Sequence, residues 1–188
     1  MQTPSHLIMT AALRYRLGRH FLPLHTPALL IGSVLPDVPF ALLSLVYELY
    51  YRVTGIAVPA PSIMEYLHFD LFFSDPLWIV SHNTFHSLIV NGLLLAIGYW
   101  QWRHGRRWGL WLFWLAASML FHTTIDIFTH NSDGPLFLFP LNWTYRFASP
   151  ISYWETAYFG RAFLVFEYTL DAVLLLYMGW RWRMEKAR

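Results

Sequence analysis

The sequence predicts an all-α protein, a polytopic membrane helix bundle that forms a single domain over residues 1–188. Three observations support this prediction: an apolar composition, several apolar segments of helix length, and loops that alternate in charge. Hydrophobic residues make up 56% of the chain and charged residues 13%, whereas soluble domains are about 25% charged. The chain has too little charge to cover a water-exposed surface, which argues against a soluble globular domain and against disorder.

The composition also excludes several kinds of chemistry. The chain has no cysteine, which rules out a disulfide framework, a cysteine zinc site and thiol catalysis. Its net charge is only +2, so no nucleic-acid partner is predicted. The polar residues that remain are mainly nine histidines and eleven carboxylates in an apolar, aromatic chain.

Three apolar segments are long enough to cross a bilayer, which takes about 20 residues. They are residues 77–100, 108–129 and 159–180. Residues 27–51 form a fourth long segment, but Pro36 and Pro39 predict a break near residues 35–38, because proline removes a backbone donor. Residues 4–17 form a helix that ends near Gly18, is too short to span, and pairs with the broken second helix as a hairpin. The prediction is therefore about four spanning helices plus a short N-terminal helix.

Loop charges predict the orientation of this bundle. Basic residues lie before the second helix, in the 101–107 loop and at the end of the chain: Arg14, Arg16, Arg19, Arg103, Arg106, Arg107, Arg181, Arg183, Lys186 and Arg188. The other two loops are acidic, with Glu65, Asp70, Asp75, Asp133 and Glu155. By the positive-inside rule, both termini are cytoplasmic in a multi-pass protein. No cleavable signal peptide is predicted.

Ionisable residues inside the apolar segments are the best candidates for function, because such groups are costly in a membrane. They occur as pairs with helical spacing: His82 with His86, His122 with Asp126, and Glu167 with Asp171. At about 1.5 Å of rise per residue, these pairs lie roughly 21–23 Å from the cytoplasmic side, and the hairpin brings His6 and Asp37 to about 18–21 Å. Five segments thus place a histidine or a carboxylate at one depth, in the outer half of the membrane.

Imidazole nitrogens and carboxylate oxygens without cysteine are ligands for zinc or another divalent transition metal. Helix bundles hold such sites between facing helices, and one or two ions can activate water near neutral pH. The predicted metal ligands are His6, Asp37, His82, His86, His122 and Asp126. Glu167 and His130 are the candidate proton acceptors in catalysis.

Structural alternatives exist for several of these residues. Asp37 could instead cap a broken helix, and His130 could be an interfacial group beside the turn that follows it. Glu167 and Asp171 could form an ion pair with Arg161 or another base. Four further histidines receive no functional role: His20, His25, His68 and His104.

The motifs resemble a known bacterial family. The segments Thr3-Pro4-Ser5-His6, Gly32-Ser33-Val34-Leu35-Pro36-Asp37, His82-Asn83-Thr84-Phe85-His86-Ser87 and His122-Thr123-Thr124-Ile125-Asp126 resemble those of the membrane-bound metal-dependent hydrolases whose best-known member is an inner-membrane protein under LexA control. The resemblance covers residues 1–130 and implies a multi-helix protein of the bacterial inner membrane with a His/Asp metal site. That family has Arg where this chain has Asn83, and Thr where it has Phe85. The HxxxD pair is also reminiscent of zinc-dependent phospholipases C, which implies lipid phosphodiester substrates.

Two main hypotheses for function follow. The first is a membrane-embedded metal-dependent hydrolase acting on a lipid or lipid-linked phosphate, with the bilayer and a lipid substrate as its partners. The second is a non-catalytic subunit of a larger membrane complex, in which histidines ligate haem or a pigment. A proton or ion transporter is a third reading of the same buried layer.

Overall fold

The computed structural model describes residues 1–17 and 23–186. Every regular element within these residues is helical: α1 (Thr3–Leu17), α2 (Thr26–Gly32), α3 (Val38–Thr54), α4 (Ile63–Glu65), a π-helical turn (Tyr66–Leu71), α5 (Phe72–Ser74), α6 (Pro76–Asn83), α7 (Leu88–Arg103), α8 (Arg107–Thr129), a 3-10 turn (Thr156–Tyr158) and α9 (Gly160–Lys186). The all-α prediction is confirmed for this part of the chain. The predicted helix end at Gly18, and Arg19, His20 and Arg188, lie outside it.

The break predicted in the second apolar segment is present. Helix α2 ends at Gly32, and α3 begins at Val38. Between them the backbone continues as a tight turn, in which the N–H of Asp37 donates to the carbonyl of Val34. Proline at the start of α3 favours this restart, because its missing N–H would have no partner in the first turn of a helix. The turn places Asp37 directly before α3.

The third apolar segment differs from its prediction as one helix over residues 77–100. It forms two helices, α6 and α7, separated by a turn at residues 84–87. Ser87 caps the second helix, since its hydroxyl accepts hydrogen bonds from the N–H groups of Ile89 and Val90. The side chain of Asn91 donates to the carbonyl of Phe85. This hydrogen bond gives a partner to a backbone carbonyl in the turn between the two helices. His86 therefore lies on a turn and not within a helix.

Helix α8 is the centre of the molecule, and its predicted extent over residues 108–129 is confirmed. Glycines let two neighbours approach it closely. A Cβ added at Gly98 of α7 would lie 2.5 Å from the backbone nitrogen of Phe113, and one at Gly32 of α2 would lie 2.3 Å from the carbonyl oxygen of Leu115. Around these crossings lies the apolar core, formed by Ala28, Leu29, Trp114, Leu115, Ala116 and Met119.

Helix α9 extends the predicted segment 159–180 at its carboxyl end, to Lys186. It packs against α1, where the hydroxyl of Ser5 donates to Asp171 at 2.7 Å and Tyr15 contacts Tyr177 edge to face. Most of its other side chains are exposed, among them Val165, Phe166, Val173, Leu175 and Leu176.

Two of the described helices, α8 and α9, are long and apolar enough to cross a membrane. Helices α3 and α7 contain 17 and 16 residues, fewer than the roughly 20 that a perpendicular span requires. The finer prediction of about four spanning helices is therefore not confirmed. The shortfall in the third segment has a clear cause, because the break at residues 84–87 divides one long apolar run into two shorter helices.

Candidate metal centre

Four side chains from three parts of the fold converge at one end of α8. Asp37 comes from the turn before α3, His86 from the turn before α7, and His122 and Asp126 from successive turns of α8. One ligand atom from each residue lies within 4.8 Å of the other three. The side chains of His86, His122 and Asp126 are at most 5% exposed, and that of Asp37 is 25% exposed.

Five of the six distances among these ligand atoms are close to those around a tetrahedral metal, and the sixth, between the two carboxylates, is within 4.8 Å. The Nε2 atoms of His86 and His122 are 3.1 Å apart. Asp37 Oδ1 lies 3.3 and 3.4 Å from them, and Asp126 Oδ2 lies 3.4 and 3.0 Å from them. Zinc bonds of about 2.0–2.1 Å give a tetrahedron whose edges are about 3.3–3.4 Å. This set of side chains could therefore hold a zinc ion.

Backbone carbonyls set the tautomer of both histidines. His86 Nδ1 donates to the carbonyl of His82 at 2.8 Å, and His122 Nδ1 donates to the carbonyl of Ser33 at 2.8 Å. In a neutral imidazole only one nitrogen carries hydrogen, so each Nε2 presents a lone pair to the other residues of the cluster. Metal-binding histidines in proteins are oriented in this way.

Further contacts orient the carboxylates. The hydroxyl of Thr3 donates to Asp37 Oδ2 at 2.5 Å. Asp126 Oδ2 faces His86 and His122. Asp126 Oδ1 lies 2.9 Å from the amino group of Met1 and 2.9 Å from His6 Nε2. Both carboxylates are thus bonded at both oxygens, as outer-shell support of a metal site requires.

Four of the six predicted ligands form this cluster, and the other two lie beside it. His6 stacks on His122 with ring centroids 3.7 Å apart and reaches only the outer oxygen of Asp126. His82 stacks on His86 at 4.4 Å, and both of its nitrogens are buried without a partner among the described residues. His6 and His82 are therefore neighbours of the cluster in this arrangement.

The two predicted proton acceptors have different surroundings. His130 follows the end of α8, and its Nδ1 donates to the carbonyl of Asp126 at 2.9 Å, which leaves Nε2 as the basic nitrogen. Burial lowers the pKa of His130, so the ring is neutral. Glu167 is buried on α9 and accepts from the backbone N–H of Gln2 at 2.8 Å. Glu167 thus bonds the start of α1, and its catalytic role stays a prediction.

A cavity of about 600 Å³ opens beside the cluster. Its polar wall includes Gln2, Thr3, Asp37, Asp126, His130 and Asp133, and its apolar wall includes Phe40, Ala41, Met64, Phe69, Phe72 and Trp154. The size is that of a small-molecule site, and the two walls suit a ligand with one polar and one apolar end. The two loops that cover it touch each other, since the indole of Trp154 lies near the ring of Phe69.

The cavity lining contains carboxylates and histidines but no lysine or arginine among the described residues. Arg146 lies next to the cavity, against the lining residue Phe72. Its guanidinium stacks on the rings of Phe72 and Phe73 and donates to the carbonyl of Gly134. Burial lowers the pKa of Arg146 to about 10, so it stays charged at neutral pH. Asn83, which was compared above with an arginine of the LexA-regulated hydrolases, is fully buried and accepts from the N–H of Leu136 at 2.6 Å.

Sequence reasoning missed three contributors to the site. Thr3 and the carbonyl of Ser33 bond ligands that lie 34 and 89 positions away in the chain, so no local pattern indicates them. His68 was given no role, but it lines the cavity. A signal for His68 was its place beside the aromatic residues Tyr66 and Phe69 in a predicted outer loop.

The fold and the cluster define an all-α protein with a buried His/Asp site that can hold zinc. The sequence profile of the family described as zinc dependent phospholipase C matches residues 5–187, and the chain belongs to that family. The likeness to zinc-dependent phospholipases C is therefore confirmed, whereas membership of the LexA-regulated hydrolases is not. No curated protein and no solved structure matches the chain.

Proposed function

We propose that this protein is a membrane-embedded zinc-dependent hydrolase that cleaves a phosphodiester in a lipid or lipid-linked phosphate. The observation that carries the proposal is the cluster of Asp37, His86, His122 and Asp126 beside a cavity that both polar and apolar side chains line. Family membership supports the reaction class, since the family is one of zinc-dependent phospholipases.

The exposed apolar side chains support the membrane part of the proposal. Along α3, one stripe of large apolar residues is 57–77% exposed: Leu42, Leu45, Val46, Leu49 and Val53. Helix α9 adds a second such surface, and both surfaces would face lipid in a bilayer. In this arrangement the cavity lies in the outer half of the membrane, and a lipid could enter laterally. We further propose a bacterial inner-membrane location with cytoplasmic termini.

In the proposed reaction, Asp37, His86, His122 and Asp126 hold zinc. When bound, the metal polarises the phosphoryl oxygen and lowers the pKa of water. The chain itself supplies orientation and proton transfer. His130 lines the cavity and its Nδ1 donates to the carbonyl of Asp126, so its Nε2 is the nitrogen that can accept the proton that the attacking water loses.

A second ion would use the outer side of the same carboxylate. Asp126 Oδ1 and His6 Nε2 are 2.9 Å apart, and the stacking of His6 on His122 holds the ring in place. Asp126 and His6 are the residues that would hold this second ion. Paired metals of this kind stabilise both the attacking and the leaving oxygen in phosphoryl transfer.

The geometry disfavours the haem hypothesis. His86 Nε2 and His122 Nε2 are 3.1 Å apart with two carboxylate oxygens beside them. No porphyrin plane fits between these atoms, whereas axial histidines of haem bind opposite faces of the iron. A colourless protein that contains zinc is therefore expected.

The test is elemental analysis of the purified protein together with hydrolysis of a defined lipid. We expect zinc in the wild type and headgroup phosphate release from phosphatidylglycerol in detergent micelles. His122→Ala and Asp126→Ala should lose both zinc and hydrolysis, because each removes a ligand. His104→Ala is the matched control, since His104 is exposed and bonds only the backbone carbonyl of Trp100.

Four results would contradict the proposal. A wild type that contains no metal would contradict the metal site. A wild type that contains zinc but hydrolyses no lipid phosphodiester would contradict the enzymatic function. Proton or ion flux through proteoliposomes, abolished by Asp126→Ala, would favour the transporter reading. Fixed-stoichiometry co-purification with other membrane proteins, without hydrolysis, would favour the accessory subunit.

A further inference from the structure

His68 lies in the cavity wall on an unusual piece of backbone. The segment Tyr66–Leu71 is a π-helical turn between the short helices α4 and α5. Such turns are rare and often occur at functional sites, because the extra residue changes the direction of a side chain. His68 lines the same cavity as Asp37 and Asp126, although it comes from a different loop.

Local contacts determine which nitrogen of His68 is available. Its Nδ1 donates to the carbonyl of Met64 at 3.0 Å. The ring also lies edge to face against Phe40, with centroids 5.3 Å apart, and Phe40 is part of the apolar wall. No residue in the described part of the chain bonds Nε2, so this nitrogen can exchange a proton with a ligand.

The other proton-bearing groups in the wall suit this role less well. The described lining includes no lysine or arginine. Both nitrogens of His82 are buried, and His130 Nδ1 lies only 3.8 Å from Asp126 Oδ1, beside the metal cluster. Burial raises the pKa of Tyr153, which makes its phenol a weaker acid. The amino group of Met1 is held by Asp126 at 2.9 Å, and Asp133 accepts from the indole of Trp154. His68 is thus the histidine of the described lining that makes no hydrogen bond or ring contact with the metal ligands.

We propose that His68 is the general acid that protonates the leaving group, an inference that rests on the proposed phosphodiesterase function. Water attacks phosphorus and forms a new P–O bond while the P–O bond to the lipid alkoxide breaks. The water proton passes to His130. His68 acts as the imidazolium, with one proton on Nδ1 bonded to Met64 and one on Nε2, and the Nε2 proton passes to the departing oxygen, which leaves as an alcohol. Exchange of protons with solvent then restores both histidines.

Two substrates with different leaving groups test this role. An alkoxide leaving from phosphatidylglycerol needs a proton, whereas the nitrophenolate of bis(p-nitrophenyl) phosphate is stable without one. His68→Gln should lower kcat on the lipid by about 10²–10⁴-fold, the usual contribution of general acid–base catalysis. Hydrolysis of the nitrophenyl ester should stay near the wild-type rate. His68→Ala with added imidazole should recover lipid hydrolysis.

Metal content and thermal unfolding are the readouts besides activity. His68→Gln and the matched control His104→Gln should both keep wild-type zinc and wild-type Tm. Equal loss on the two substrates, no loss on either, or loss of zinc in His68→Gln would overturn the role of His68 alone. A wild type that holds zinc but hydrolyses neither substrate would overturn the proposed function, and this role with it.

Discussion

The Nε2 atoms of His86 and His122 face each other at 3.1 Å, while the Nδ1 atom of each ring donates to a backbone carbonyl 2.8 Å away. Two neutral imidazoles held in this way would point lone pairs at one another. A cation between them removes that repulsion and uses both lone pairs. The contact therefore has a chemical explanation as part of a metal site, and it gives the following predictions.

The first prediction compares a ligand with its support. Asp37→Asn removes a charged ligand, whereas Thr3→Val removes only the hydrogen bond to Asp37 Oδ2. Loss of an outer-shell bond typically weakens metal affinity by about 10–100-fold, and we expect a larger loss for Asp37→Asn. Titration with a competing chelator measures both. Thr124→Val is the control, because its exposed hydroxyl bonds only the carbonyl of Leu120. Equal affinity for Thr3→Val and the wild type would contradict the outer-shell role.

The second prediction concerns metal removal. Without metal, the carboxylate of Asp126 and the Nε2 lone pairs of His86 and His122 face one another with no cation between them. Free zinc at about 1,000 times its Kd should stabilise the folded protein by about 4 kcal/mol. Chelation should therefore lower Tm, and zinc should restore it, whereas magnesium should not. An unchanged Tm after complete removal would contradict a structural contribution from the metal.

The third prediction is the direction of the pH dependence of metal binding. Zinc requires deprotonated imidazole at His86 and His122, so protons compete with the metal. Zinc affinity should fall as the pH is lowered from 8 toward 5, with release of protons when zinc binds at low pH. Calorimetry in buffers of different ionisation enthalpy measures the proton count. Affinity that is independent of pH would exclude histidine ligands.

The fourth prediction concerns the close contact of α2 and α8. A methyl group at Gly32 would lie 2.3 Å from the carbonyl oxygen of Leu115, so Gly32→Ala must push the helices apart. Overpacking of this kind costs about 1–3 kcal/mol. It should also weaken zinc binding, because the adjacent Ser33 carbonyl orients His122. Gly92→Ala is the control, since nothing lies within 4 Å of its added Cβ. Tm and zinc affinity that match Gly92→Ala would contradict this account.

The fifth prediction concerns Asn83. Its side chain is fully buried and ties the 131–158 loop to α6 through the N–H of Leu136. Asn83→Ala leaves that N–H buried without a partner, which costs about 1–3 kcal/mol. Faster proteolysis within the loop should report the loss. Asn142→Ala is the comparison, because Asn142 accepts only from N–H and hydroxyl groups of its own exposed turn. Equal protease resistance in both variants would contradict the role of Asn83.

Much of the fold could be predicted from local pattern. Helices α1, α8 and α9 and the break before α3 follow from apolar runs and proline positions. The break between α6 and α7 could not, because residues 77–100 are apolar throughout most of their length. That break depends on Ser87, which caps α7 and also donates to the carbonyl of Phe139, a residue far along the chain.

The candidate site shows the same division. Asp37, His86, His122 and Asp126 were all predicted as metal ligands, because ionisable residues in apolar helices are rare and their estimated depths agree. The same reasoning included His6 and His82 but could not place them beside the cluster. Depth along a helix axis does not define the direction in which a side chain points.

Composition, spacing and helical rise predict the helical class, the kinds of candidate ligand and their common level. Which nitrogen of each histidine faces the centre depends on the folded chain, because the carbonyls of His82 and Ser33 set that choice. Folding also brings His68 to the cavity, through the π-helical turn and the packing of its ring on Phe40. Long-range hydrogen bonds and ring packing, which local sequence does not encode, produced these features.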